Sequence, residues 1–407
     1  MNTTTRTGTK KYQRNIYLWY GIEVFMSMAF MMPVLNRLWN SEMGMTLSDV
    51  LTLQALFSLS FIILQIPTGI FADIYGRKKS IVCGHIIIFT GYVCYSFSFN
   101  FWAALVSEIL IGIGFSFING AFNALLLETL KVDFPDKEER GPRHKKLLNT
   151  FFTIDQTCNA ISAIAGSLIA VSYGLRVPLY LEVVVTGISC IIALFLTEPP
   201  KDETQVLHWK DIFKACRVLV QGNRQVLGMI LYSSSINAAT LTFVWLAQPY
   251  LESVGIELKN FGYVLAAMNV AGAFLSFFAA KRFEHLIGIR TSMLLFPLFI
   301  GTGFVVLGSY PSEFAIPFFF LFYMVRGLSK PIIGDALAES PSDSIRSTFL
   351  SLDSMVYRSL FCVITFSTKN ACEPYNIGLY GIMVMYGTIF TFAGLFSFWM
   401  YYRKTTE

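Results

Sequence analysis

The stretch Gly69-Ile-Phe-Ala-Asp73-Ile-Tyr-Gly76-Arg77-Lys78-Lys79 decides how the chain is read. It joins two apolar blocks, 47–72 and 80–99. Each can cross a bilayer, which takes about 20 mostly apolar residues. Gly69 lets helices approach closely and Gly76 permits a tight turn. Asp73 ends the first block inside a basic turn, where a carboxylate can pair with a cation or cap a helix N-terminus. Taken alone, the stretch is a turn with surface charges, and its meaning depends on what lies on either side.

Ten more apolar blocks flank these two, at roughly 16–38, 101–128, 148–172, 178–196, 226–249, 260–280, 291–309, 313–336, 347–368 and 376–402. Connections are short except 129–147 and 197–225, and the second divides the spans six and six. This predicts a tail over 1–15, a six-helix bundle over 16–196, a linker over 197–225, a second bundle over 226–402 and a tail over 403–407. In the linker, Trp209, Ile212, Phe213, Cys216 and Leu219 recur at helical spacing with Lys210, Lys214 and Arg217 between them. That pattern predicts a short amphipathic helix, on the membrane surface or packed on the bundle.

Composition agrees. Of 407 residues, 54% are hydrophobic and 14% charged, against about 25% charged in an ordinary soluble protein. Mean hydropathy is +0.56. The net charge of +5 is spread over short loops, with no polar basic domain of the kind that binds nucleic acid. With both termini in the cytoplasm, 24 Lys and Arg fall in cytoplasmic segments. Outer loops hold 4, namely Arg37, Arg176, Lys259 and Lys369. That bias fixes the orientation. Trp19, Trp39, Trp102, Trp245 and Trp399 lie near predicted span ends, where an interfacial belt is expected. The seven cysteines form no Cys-x-x-Cys pair and the four histidines no His-x-x-x-His pair. They predict core residues rather than a metal site. No Walker loop and no convergent catalytic cluster appears, so neither ATP hydrolysis by that route nor an enzyme is expected.

The turn at 69–79 resembles the signature loop of the major facilitator superfamily. It matches at Gly69, Asp73, Gly76, Arg77 and Lys78, and departs at Ile74, where the family usually has a basic residue. Ile345-Arg346-Ser347-Thr348-Phe349-Leu350-Ser351-Leu352, opening the eleventh span, looks like a segment found there in bacterial members. With six plus six spans, the resemblance covers nearly the whole chain. It implies an all-α membrane protein of twelve transmembrane helices in two pseudo-symmetric six-helix halves. Such a carrier works by alternating access about a central cavity. The resemblance also implies that Asp73 holds the start of the eleventh helix, near Ser347, in one state and releases it in another. The matching turn of the second half, around Lys281, Arg282, Gly288 and Arg290, lacks the aspartate. Two departures count against a standard drug/proton antiporter. Glu108 stands before Gly112-Ile-Gly114, where the family has an arginine, and Gly166 lacks the proline that such antiporters carry.

Charges inside spans are costly and commonly functional. Arg326 and Arg358 fall near the midplane, with Lys330 one turn from Arg326. Glu23, Asp155 and Asp353 lie about two turns in from the cytoplasmic side. Asn119, Asn123 and Asn237 add polar groups at mid-depth. The carboxyls are candidate proton sites and the cations candidate anion sites, and structural ion pairs are the competing reading. Glu128 near a cytoplasmic end is expected to be solvated. The expectation is a monomeric carrier in the inner membrane of a bacterium that exports a small organic solute, drug-like or siderophore-like. A proton gradient would drive it and no cofactor would be used. The alternatives are uptake of an anionic metabolite and a receptor that transports nothing.

Overall fold

The computed structural model describes residues 3–134, 136–199, 224–276, 280–338, 343–372 and 377–403, with the side chains of 3–12, 334–338, 343–352, 369–372 and some further helical residues among them left undescribed. The expected amphipathic helix at 209–219 lies outside them. The helices are α1 (Thr3–Met26), α2 (Leu35–Met43), α3 (Leu47–Tyr75), α4 (Arg77–Ser96), α5 (Phe101–Asp133), α6 (Lys137–Tyr173) and α7 (Val177–Leu194). After the linker come α8 (Arg224–Ser253), α9 (Leu258–Phe274), α10 (Ala280–Ile287), α11 (Ile289–Ser309), α12 (Phe319–Ala338), α13 (Asp343–Cys372) and α14 (Leu379–Tyr402). Among the described residues, α3, α5, α6, α7, α8, α11 and α14 are long and apolar enough to cross a membrane. Helices suit that setting because they satisfy their own backbone groups where no water can.

Two compact units form, Met1–Gly44 with Leu56–Trp209, and Met45–Ala55 with Lys210–Glu407. In the first, α4 and α5 pack through small residues. A Cβ on Gly84 would sit 2.7 Å from the carbonyl oxygen of Gly114, and one on Gly114 would sit 2.7 Å from that of Gly84. Such close approach is how helices associate where lipid supplies no hydrophobic drive. In the second unit aromatic rings fill the core. Phe243 stacks on Phe322 with centroids 3.8 Å apart, and Phe304 and Phe319 meet it edge-on. α8 is the most enclosed of the spans, with 72% of its apolar window buried.

Four expectations need correction. The block 16–38 is not one helix: α1 stops at Met26 and α2 starts at Leu35. Pro33 accounts for one side of the gap, because it has no N–H to donate and disfavours helical geometry at Met32. The connection 129–147 is mostly helix, since α5 runs to Asp133 and α6 begins at Lys137, so only 134–136 separate them. The block 313–336 opens with a 3₁₀ turn, Glu313–Phe318, before α12. Trp19 and Trp39 are not belt residues: both are buried within the protein. The indole of Trp39 donates to the Tyr95 hydroxyl at 2.6 Å, which satisfies its one polar atom. Trp102 and Trp399 are exposed, as an interface requires.

Candidate functional site

The turn at 69–79 is built from more residues than the sequence suggested. α3 ends at Tyr75, and Gly76 takes φ 112° and ψ 146°, a backbone that side chains rarely adopt. The turn leaves the first N–H groups of α4 without helical partners. Glu198, beyond the end of α7, takes them. The Arg77 N–H donates to Glu198 Oε1 and the Lys78 N–H to Glu198 Oε2, both at 2.7 Å. A carboxylate at a helix N-terminus is favoured by the dipole as well as by the bonds. The Arg77 side chain reaches Glu128 Oε1 on α5 at 2.7 Å and Asp73 Oδ1 at 3.5 Å. Glu128, expected to be solvated, is thus a partner in the turn. The side chain of Ser347 lies outside the described residues, and so does the proposed contact with Asp73.

Deeper in the first unit, Glu23 on α1 and Asp155 on α6 come close enough for their charges to interact, with Ser27 hydrogen-bonded to Glu23. Asp155 also accepts from Asn159 Nδ2 at 2.9 Å and from Gln156 Nε2 at 3.2 Å. Cys158 lies one turn along α6 from Asp155. Sequence depth suggested both acids; their meeting needed the packing of α1 on α6. Asn119 and Asn123 on α5 are exposed in the first unit.

In the second unit, Asp353 on α13 is tied to α8. Ser234 Oγ donates to Asp353 Oδ1 at 3.0 Å, and Asn237 Nδ2 donates to Oδ2 at 3.2 Å. Two expected residues, Asn237 and Asp353, are thus brought together, and Ser234 joins them without any signal in the sequence. Arg326 on α12 is exposed in its unit, beside Tyr323. Arg358 on α13 is half-buried, its guanidinium 5.3 Å from the Tyr357 ring centroid. The Lys330 side chain lies outside the described residues. No group of three or more His, Cys, Asp or Glu among the described residues could hold a metal ion.

The first unit also holds two buried carboxyls. Glu108, standing where the family has an arginine, accepts from the Tyr95 hydroxyl at 3.1 Å. Glu182 on α7 accepts from the backbone N–H of Met31 at 3.1 Å.

The sequence profile described as the Major Facilitator Superfamily matches residues 20–365. The chain belongs to the major facilitator superfamily. It is 22% identical over 305 residues to the MFS-type transporter MJ1560 of Methanocaldococcus jannaschii, covering 71% of this chain and 73% of that one. It is also 22% identical over 296 residues to the multidrug resistance protein MdtG of Proteus mirabilis, covering 70% and 69%. Among solved structures, the nucleoside transporter NupG superposes with a TM-score of 0.71 at 13% identity, over 96% of this chain and all of its own. An auto-inhibited POT family peptide transporter superposes at 0.73 and 13%, over 97% and 98%. The structural likenesses carry the fold. Membership makes the chain a multi-pass membrane transporter rather than an enzyme.

Proposed function

We propose that this transporter exports a drug-like or metabolite-like organic compound across a bacterial cytoplasmic membrane in exchange for protons, as a monomer without a cofactor. The observation that carries the reading is the approach of Glu23 and Asp155 inside the first unit. Two carboxyls in a low-dielectric setting repel unless a cation is shared, and a proton is the smallest. Asp353, with Ser234 and Asn237, supplies a separate acidic group in the second unit. The similarity to MdtG, named as a multidrug resistance protein, favours export.

The test is export of ethidium from proteoliposomes driven by an imposed pH gradient. Wild type is expected to export, and Glu23→Gln to lose at least about tenfold in rate, in line with loss of a proton-transfer group. Asp353→Asn is expected to slow export less. Unchanged pH-driven transport in both variants would remove the proton-site reading. Uphill uptake of organic anions instead would reverse the direction.

A further inference from the structure

The first apolar block, 16–38, is interrupted by non-helical backbone, and the interruption has its own supports. Between α1 and α2, residues 27–34 form no helix. The stretch is largely apolar, Ser27-Met-Ala-Phe-Met-Met-Pro33-Val34, so hydropathy gives no sign of it. Unwound backbone at this depth needs protein partners, because lipid offers none. Three are present. Ser162 Oγ on α6 accepts the Ala29 N–H at 3.0 Å. Glu182 on α7 accepts the N–H groups of Phe30 and Met31. Gly166 on α6 makes the room: a Cβ there would collide with the Phe30 carbonyl. Glu182 is only 3% exposed, so its bonds to the break are shielded from water.

Just before the break, the last turn of α1 carries Glu23, with Ser27 bonded to it and Asp155 and Cys158 opposite. Tyr92 on α4 lies near Glu182 and near Glu108 on α5. Glu182 and the site at Glu23 are linked through the backbone of the break, which Glu182 bonds at Met31.

We propose that Glu182 is a positioning residue of the carrier: it holds the break open by its bonds to Phe30 and Met31, and so fixes the end of α1 on which Glu23 meets Asp155. The role rests on the reading of Glu23 as a proton site, and the test separates the two. An amide at 182 keeps an oxygen for the same N–H groups, whereas a leucine keeps none. Removing the hydrogen-bond acceptor from buried donors is expected to cost a factor of ten or more in the fraction of correctly placed α1 ends, on the order of the larger hydrogen-bond effects.

The experiment treats purified full-length protein in proteoliposomes with dicyclohexylcarbodiimide, which modifies protonated carboxyls, across a pH series. Modification at Glu23 is read by mass spectrometry. In parallel, Met32→Cys places a thiol in the break, and its rate of reaction with N-ethylmaleimide, read at position 32 by mass spectrometry, reports whether the break stays open. Glu182→Leu is expected to move the half-modification pH of Glu23 by about one unit and to change the rate at the introduced thiol at least tenfold. Glu182→Gln is expected to restore both. Ser162→Ala should shift both in the same sense by less, and it stands in if the leucine variant fails to fold. An unchanged profile at Glu23 in Glu182→Leu or Ser162→Ala overturns the positioning role. So does a glutamine variant that behaves like the leucine one. If wild-type Glu23 is never modified at any pH, the proton-site reading fails instead, while the thiol rates at position 32 still decide whether Glu182 holds the break.

Discussion

Two turns of this protein occupy matching places and are built differently. In each unit a glycine with positive φ precedes a helix: Gly76 before α4 and Gly288, φ 78°, before α11. At the first turn, acids from three places converge. Glu198 caps the helix, Glu128 grips Arg77, and Asp73 lies on the same guanidinium. At the second, the cation is held by an aromatic ring, with the Arg290 guanidinium 5.0 Å from the Tyr402 centroid. The Ser292 hydroxyl returns to the Gly288 carbonyl at 2.8 Å. Among the described residues no carboxylate caps α11. The same backbone turn is therefore an ionic junction in one unit and a packing corner in the other. Ionic junctions can exchange partners, as a carrier that changes state requires, whereas ring packing only supports a bend.

The comparison breaks most readily at Glu198. Glu198→Ala removes two charge-assisted bonds from the start of α4 and is expected to lower transport in proteoliposomes by about tenfold or more. If Glu198→Ala transports like wild type, the first turn is no more than a corner. Next come the glycines. Gly76→Ala and Gly288→Ala both impose backbone strain of about 1–3 kcal/mol. A methyl group at 76 would also approach Glu198 Oε2 to 3.1 Å, whereas one at 288 would meet nothing within 4 Å. Thermal unfolding should drop more in Gly76→Ala, and equal drops would show that the cap adds nothing. Arg77→Lys keeps the charge but loses the planar fork shared by Glu128 and Asp73. A several-fold loss of transport is expected, against full activity if charge alone matters. Arg290→Ala should be the mildest, under about 1 kcal/mol of stability, typical of an exposed cation–aromatic contact. A large loss of transport there would erase the distinction between the turns.

Much of this was legible in the chain. Apolar block lengths point to a multi-pass membrane protein, and the signature loop points to its family. What hydropathy cannot see is where an apolar segment leaves the helix. Residues 27–34 are as greasy as their neighbours, and only Pro33 hints at the gap. Glu198 was invisible for another reason: it binds Arg77 and Lys78 from about 120 residues away. Spacing arguments reach along a helix, not across a bundle. Glu128 and Trp39 were misplaced because depth in a span gives no information about which face carries a residue. Asp353 and Asn237 were picked out separately by polarity, and only the packing of α13 on α8 joins them.

The central claim is that outward movement of an organic compound is exchanged for protons through Glu23. The direct measurement loads vesicles with a pH-sensitive dye, applies an ethidium gradient with no initial pH difference, and records proton movement. Wild type is expected to move protons against the ethidium flux, and Glu23→Gln to let ethidium and protons uncouple or to move neither. Ethidium flux with no proton movement in wild type, or unchanged coupling in Glu23→Gln, would contradict the account.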